Sequence, residues 1–169
     1  MEHIKRSFLE IKSLKELNCV KKPSEKVEVN LVNPPDFLLN KFLYKQIGKN
    51  YFWVDRLIWS VNDWNKYVER SDLFTYVMKV DKDLAGFFEL IYHEKKAEIE
   101  IAYLGLFKEY IGSKLGGYLL TEAIQNSFKH NVNRVWVHTC SLDHKNALNN
   151  YLSRGMLIYN SEVIKKFSA

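Results

Sequence analysis

Glu98-Ile99-Glu100-Ile101-Ala102-Tyr103-Leu104-Gly105-Leu106 leads, through Ile111-Gly112-Ser113-Lys114-Leu115-Gly116-Gly117, into an apolar stretch over residues 118–128. The first segment reads as a strand. In the last, Leu120, Ile124 and Phe128 recur at i, i+4 and i+8, the spacing of one helical face. A strand that turns through glycines into a helix leaves free backbone N–H groups at the helix N-terminus, with the helix dipole behind them, and these attract an anion. Glycines let the chain turn tightly and let a ligand approach the backbone. A merely tight connection accounts for three glycines equally well. The spacing is neither the dinucleotide fingerprint nor GxxxxGK[ST], which argues against a dinucleotide or Mg-ATP.

Outward from this stretch the pattern alternates between strands and helices. Upstream, residues 73–80 and 84–92 are rich in apolar, β-branched and aromatic residues, with Asp81-Lys82-Asp83 as a hairpin turn. Glu94-Lys95-Lys96 punctuates a second hairpin, so three antiparallel strands form a meander. Further back, Ser60 stands three before Asp63 and opens a helix carrying Val61, Trp64 and Val68. Asp36, after Pro34-Pro35, caps another helix with Phe37, Leu38, Phe42 and Leu43, which Gly48 stops. Residues 26–32 alternate as a half-buried strand, and residues 7–13 read as a short one. Downstream come a strand over residues 134–140, a helix over 146–154 stopped by Gly155, and a strand beginning at Met156 and continuing near 162–167. The order is ββ-αα-βββ-α-β-α-β. A crossover on top of a meander predicts an α/β (mixed α+β) fold with a mixed sheet.

At 169 residues the chain has the length of one domain with a self-sufficient core. It is read as a single domain over residues 1–169, with 1–25 an extension and 26–169 the core. Hydrophobic residues at 47% and charged ones at 27% exclude global disorder. No apolar run approaches the roughly 18–20 residues that span a bilayer, and the first ten residues carry no signal-peptide core. Only Cys19 and Cys140 are present, so the expected setting is the reducing cytoplasm. The net charge of +5 concentrates in residues 108–169, where eight Lys/Arg face four acids. That bias fits either a soluble lysine-rich surface or a partner carrying phosphates. No basic run reads as a nucleic-acid arm, and no recognition-helix pattern accompanies it. His138, Cys140, Asp143 and His144 crowd together but match no common zinc spacing, so no metal is expected.

Glu100–Leu106 followed by Lys108-Glu109-Tyr110-Ile111-Gly112-Ser113-Lys114-Leu115-Gly116-Gly117-Tyr118-Leu119-Leu120 resembles the core acetyl-CoA motif of GNAT-type N-acetyltransferases. Asn146-Ala147, Tyr151 and Gly155-Met156 are similar to the second motif of that family, and Val135-Trp136-Val137-His138-Thr139 lies between the two as the family requires. Asn40–Tyr44 and Trp53–Trp59 resemble a bacterial branch of the family. The resemblance implies a twisted, mostly antiparallel sheet of six to seven strands flanked by about four helices, with a splayed strand before the cofactor turn. It also implies acetyl transfer from acetyl-CoA to a small-molecule or peptide amine, by a monomer or homodimer; a catalytically weak acyl-CoA sensor is the alternative.

Residue by residue, the resemblance assigns cofactor contacts to Leu104, Gly105, Leu106, Ile111, Gly112, Ser113, Lys114, Leu115, Gly116, Gly117 and Asn146. It assigns the base to Glu100 and the acid to Tyr151, five residues before Met156. Tyr44, Trp53, Asp55 and Trp59 fall where the family places the acceptor wall; each also reads as aromatic core or, for Asp55, as an ion-pair partner of Arg56. Glu89 and His138 complete the acceptor candidates, and Glu89 is also the runner-up for the base, beside a water chain. Ideal two-residue alternation puts Glu89 and Glu100 on opposite faces of their hairpin, so at most one enters the cleft unless a bulge intervenes. Ile111 and Lys114 depart from the family's Gln/Arg and first Gly. A Cβ at 114 is tolerated if the backbone there is helical; a positive φ costs about 1–2 kcal/mol.

Overall fold

The structure is a computed structural model that describes residues 2–166. Its elements are β1 (Glu2–Ile11), β2 (Val27–Leu31), α1 (Phe37–Gly48), α2 (Val61–Val68), β3 (Leu73–Val80), β4 (Asp83–His93), β5 (Glu98–Leu106), α3 (Leu115–Phe128), β6 (Arg134–Cys140), α4 (Ala147–Ser153) and β7 (Leu157–Lys166). The order is the one read from the sequence. The strands form one mixed sheet, β2-β3-β4-β5-β6-β1-β7, antiparallel throughout except between β5 and β6.

Local chemistry sets most boundaries. Asp36 accepts hydrogen bonds from the Leu38 and Leu39 amides and starts α1. Ser60 and Asp63 form a reciprocal capping box at α2. Gly155 ends the α4 region at φ +101°, where an added Cβ would stand 2.2 Å from the Glu16 carbonyl oxygen. Phe167, the expected end of the last strand, lies outside the described residues.

Three expectations change. The helix after the glycine turn begins at Leu115 rather than 118, because Lys114 takes the left-handed conformation and launches it. The first strand runs Glu2–Ile11 rather than 7–13. It lies inside the sheet, hydrogen-bonded to both β6 and β7, with Leu9 and Ile11 fully buried. Residues 2–11 of the expected extension thus form an interior strand of the sheet. Two flanking ladders satisfy the backbone and recruit charged residues such as Lys5 and Arg6 that local propensity would not place in a strand.

The third change concerns β4 and β5. Glu89 pairs with Tyr103, but Leu90 pairs with Ile101, so Ala102 is an extra residue on β5. The bulge shifts the alternation by one. Glu100 now pairs with Ile91, two residues from Glu89, and the two carboxylates share a face.

The sheet separates two apolar layers. On one face Phe88, Leu90, Ile99 and Ile101 pack with Leu119, Leu120 and Ile124 of α3 and Tyr151 of α4. On the other, Val77 and Phe87 pack with Leu43 and Ile47 of α1, and Ile91 packs with Tyr67 and Val68 of α2. Residues 18–20 strap the first layer: Asn18 bonds the Arg154 and Ser153 carbonyls, and the Val20 amide donates to Thr121 Oγ1.

Candidate active site

β5 and β6 pair only over Glu98↔Arg134, Ile99↔Val135 and Glu100↔Trp136. Beyond that point the two strands diverge. Leu104, Gly105 and Leu106 lie on the part of β5 that still pairs with β4 but no longer with β6, so its other edge is free for a ligand's amides.

The free edge ends on the turn. Gly112 has φ +85° with open space around it, and Lys114 has φ +63°, ψ 15°. Of the two conformations weighed for Lys114, the structure adopts the strained one. Left-handed residues alternating with extended or helical ones turn successive N–H groups to one side and form an anion-binding concavity. No side chain caps α3, and residues 111–114 are exposed. Ser113 Oγ donates to the Tyr110 carbonyl. Leu115 is buried beneath the turn. Gly116 lies against Asn150, whose Nδ2 donates to the Gly116 carbonyl at 3.1 Å. Gly117 must be small, because a Cβ there would stand 2.5 Å from Arg154 Nη1 and 2.9 Å from Val20. An uncapped helix start, a concave backbone and an open side at Gly112 fit a pyrophosphate.

Asn146 is the residue before α4, exposed, with its amide donating to His144 Nδ1 at 3.2 Å. Tyr151 is buried on α4; burial, with Asp143 nearby, pushes its phenol above the ordinary range, so it is protonated at neutral pH.

Glu100 stands at the last paired position before the strands part. Its Oε2 is 3.0 Å from His93 Nε2, and it is partly buried. His138 is two residues beyond Trp136 on the same face and packs against Phe8. Partial desolvation of its ring, then the Arg6 guanidinium, hold its imidazole below the ordinary range although the residue keeps exposed surface.

The α1–α2 connection covers this face of β5. Trp53 packs edge-on against Tyr103, 4.6 Å between centroids, and its Cη2 is 3.4 Å from where a Gly105 Cβ would be. Tyr44 is fully buried; its hydroxyl donates to Asp55 Oδ1 at 2.6 Å and accepts from the Arg56 amide. Burial, with the Asp55 bond, raises that phenol to about 12. Trp59 packs on Trp64 and Tyr67. Tyr51 meets His144 edge-on, so the α1–α2 and β6–α4 loops touch.

Asp55 and Arg56 do not pair. Arg56, 5% exposed, turns inward onto Glu89, 0% exposed, at 3.0 Å. Glu89 also accepts from Asn40 Nδ2 at 3.0 Å and the Tyr67 hydroxyl at 2.7 Å. The guanidinium sits within 6 Å of the rings of Tyr44, Trp59, Trp64, Tyr67 and Tyr103. Glu89 is thus a sealed anchor beneath the α1–α2 connection, with no exposed surface. Sequence reasoning missed Arg56 as that anchor, Tyr103 as Asp55's second donor, His93 beside Glu100, and Asn150. Only His93, at a hairpin end opposite Glu98, carried a usable signal: strand register.

A groove of about 680 Å³ along β2 and the start of α1, lined by Asn30, Pro34, Pro35 and Lys79 among others, contains none of the predicted site residues. Among the described residues no group of three potential ligands could hold a metal, and no helix is long and apolar enough to cross a membrane.

Comparison with solved structures returns this fold. A GCN5-related N-acetyltransferase from Kribbella flavida superposes with a TM-score of 0.67 at 15% identity, over 94% of this chain and 56% of that one. Another from Sphaerobacter thermophilus gives 0.73 at 14%, over 95% and 50%. The spermidine N-acetyltransferase of Vibrio cholerae, solved with CoA and spermine, gives 0.63 at 18%, over 78% and 81%. The chain thus spans about half the length of the first two. At these identities the likeness speaks for the fold alone. Comparison with curated proteins finds no match. The model of the acetyltransferase (GNAT) family matches residues 40–156, well over half of the chain, and the chain belongs to that family.

Proposed function

We propose that this chain, as one GNAT-like domain, moves an acetyl group from acetyl-CoA to a primary amine by direct attack in a ternary complex. The observation that carries the reading is the parting of β5 from β6 at Glu100, with the free edge running onto an uncapped, left-handed turn. Bound there, acetyl-CoA supplies a thioester whose carbonyl an amine can attack.

The chain's residues do the rest. The backbone of Ile111–Gly117 and the Lys114 ammonium hold phosphate, and Asn146 and Leu104 border the cofactor. A backbone N–H in the Gly105–Leu106 region donates to the carbonyl oxygen as negative charge grows there. Only about 0.04% of a lysine-like amine is neutral at pH 7. Glu100 takes the amine's proton, and the attack needs no covalent enzyme intermediate. Tyr151 donates a proton or hydrogen bond to the departing thiolate. Tyr44, Trp53, Asp55, Trp59 and His138 bound the acceptor, a small-molecule or peptide amine met in the cytoplasm by a monomer or homodimer.

One observation favours the second reading, a weak acyl-CoA sensor: Ile111 and the left-handed Lys114 occupy positions where the family has Gln/Arg and Gly. Calorimetric titration of acetyl-CoA, CoA and ATP, followed by a thiol-release assay with amines, tests both. Micromolar acetyl-CoA binding with turnover supports the enzyme, and binding without turnover supports the sensor. No binding up to millimolar overturns both.

A further inference from the structure

We infer that the acceptor carries a second positive charge besides its reacting amine, as a small aliphatic diamine or polyamine does, and that Asp55 binds it. The inference rests on the acetyl-transfer reading of the same site and adds the class of acceptor.

Asp55 is an exposed carboxylate held rigid from behind. Tyr44 donates to Oδ1 at 2.6 Å, and Tyr103 donates to Oδ1 at 2.9 Å and Oδ2 at 3.1 Å. Burial holds both phenols above their ordinary range, so both keep the proton they donate. Among the described residues no basic nitrogen lies within 4.0 Å of it.

Four of the five arginines are held in ion pairs with other carboxylates. Arg56 pairs with Glu89, Arg70 with Asp72, Arg134 with Glu98 and Glu10, and Arg6 with Glu162. The fifth arginine, Arg154, is on the α3–α4 side against Gly117. In a chain of net charge +5, Asp55 is thus an exposed carboxylate with no ion-pair partner among the described residues. Beside that anion stands the ring of Trp53, an aromatic surface that attracts cations, packed edge-on against a Tyr103 ring that Arg56 already covers.

Placement on the sheet suits a short chain. Tyr103, whose hydroxyl holds Asp55, and Glu100 are three residues apart on β5 and face the same side of the sheet. The proposed acceptor is a chain of methylenes with one ammonium at Asp55 and the neutral amine at Glu100.

The test compares acceptors of equal length on the full chain with acetyl-CoA, read by thiol release: 1,4-diaminobutane, butylamine and 4-aminobutyrate. The expected kcat/KM order is diamine, then butylamine, then aminobutyrate, the first two differing by roughly 10–100-fold, as for a charge-assisted contact of about 1.5–3 kcal/mol. Added salt raises the KM of the diamine more than that of butylamine. Asp55→Asn raises the diamine KM about tenfold or more with kcat little changed, and Asp55→Glu recovers part of the loss. Equal rates for diamine and butylamine, equal salt dependence, or a lysine peptide that outperforms every diamine overturns the inference. If acetyl-CoA binds but no amine turns over, the transfer reading fails by itself. Titration of 1,4-diaminobutane into the CoA-loaded protein then decides on Asp55: loss of binding in Asp55→Asn upholds it, and no binding to the unmodified chain overturns it.

Discussion

The two ends of the candidate site are built in opposite ways. At the turn, residues 111–117 offer backbone: two left-handed residues, small side chains and an uncapped helix. At the wall formed by the α1–α2 connection, side chains that are 11 to 49 positions apart in sequence meet around a buried ion pair. Backbone geometry follows from a few consecutive residues and shows as a motif. A side-chain network depends on long-range packing and leaves no local trace. The turn should therefore tolerate substitution that keeps its φ angles, whereas the wall should fail when one partner is removed.

The largest expected effect is at the wall. Arg56→Leu leaves Glu89 charged, buried and unpaired, and should cost about 3–5 kcal/mol in urea unfolding. Arg56→Leu with Glu89→Leu should recover much of it. A single variant costing under about 1 kcal/mol would erase the contrast drawn here. Next come the reacting groups. Glu100→Gln should lower kcat by about 10²–10⁴-fold and Tyr151→Phe by nearer 10²-fold, with CoA affinity retained in both by calorimetry. If neither moves the rate, the acid and base lie elsewhere on the same fold.

Smaller still is the response to acid. Burial works against the Glu98 charge, but the Arg134 hydrogen bond and charge outweigh it and hold its carboxyl below the ordinary range. A depressed folded value means that the pair's contribution is complete above the unfolded glutamate value of about 4.3 and disappears as the pH falls through the folded value. The thermal midpoint should drop below that pH, and less steeply in Glu98→Gln. Smallest is Lys114→Gly. Removing a Cβ from φ +63° relieves about 1–2 kcal/mol, of which added chain entropy cancels about 0.4–1. A slightly higher midpoint with weaker phosphate affinity would show that Lys114 trades strain for charge; an unchanged affinity would leave it a bystander.

What could be read in advance follows the same division. Asp36, Ser60 with Asp63, and Gly155 mark helix ends through bonds to residues a few positions away, so their roles were legible. The parity of Glu89 and Glu100 was not. It depends on one extra residue, Ala102, at a register shift in the β4–β5 ladder that no local pattern marks.

The sequence by itself determined the order of elements, the strand–turn–helix with its glycine turn, and the family, because periodicity, capping and glycine conformations act over a few residues. Only the tertiary structure decided that β1 enters the sheet between β6 and β7, that Arg56 turns inward to Glu89 while Asp55 faces out, and that both carboxylates of the β4–β5 hairpin share a face. Those outcomes depend on which distant groups satisfy a buried charge or an open ladder, a choice made when the chain closes on itself.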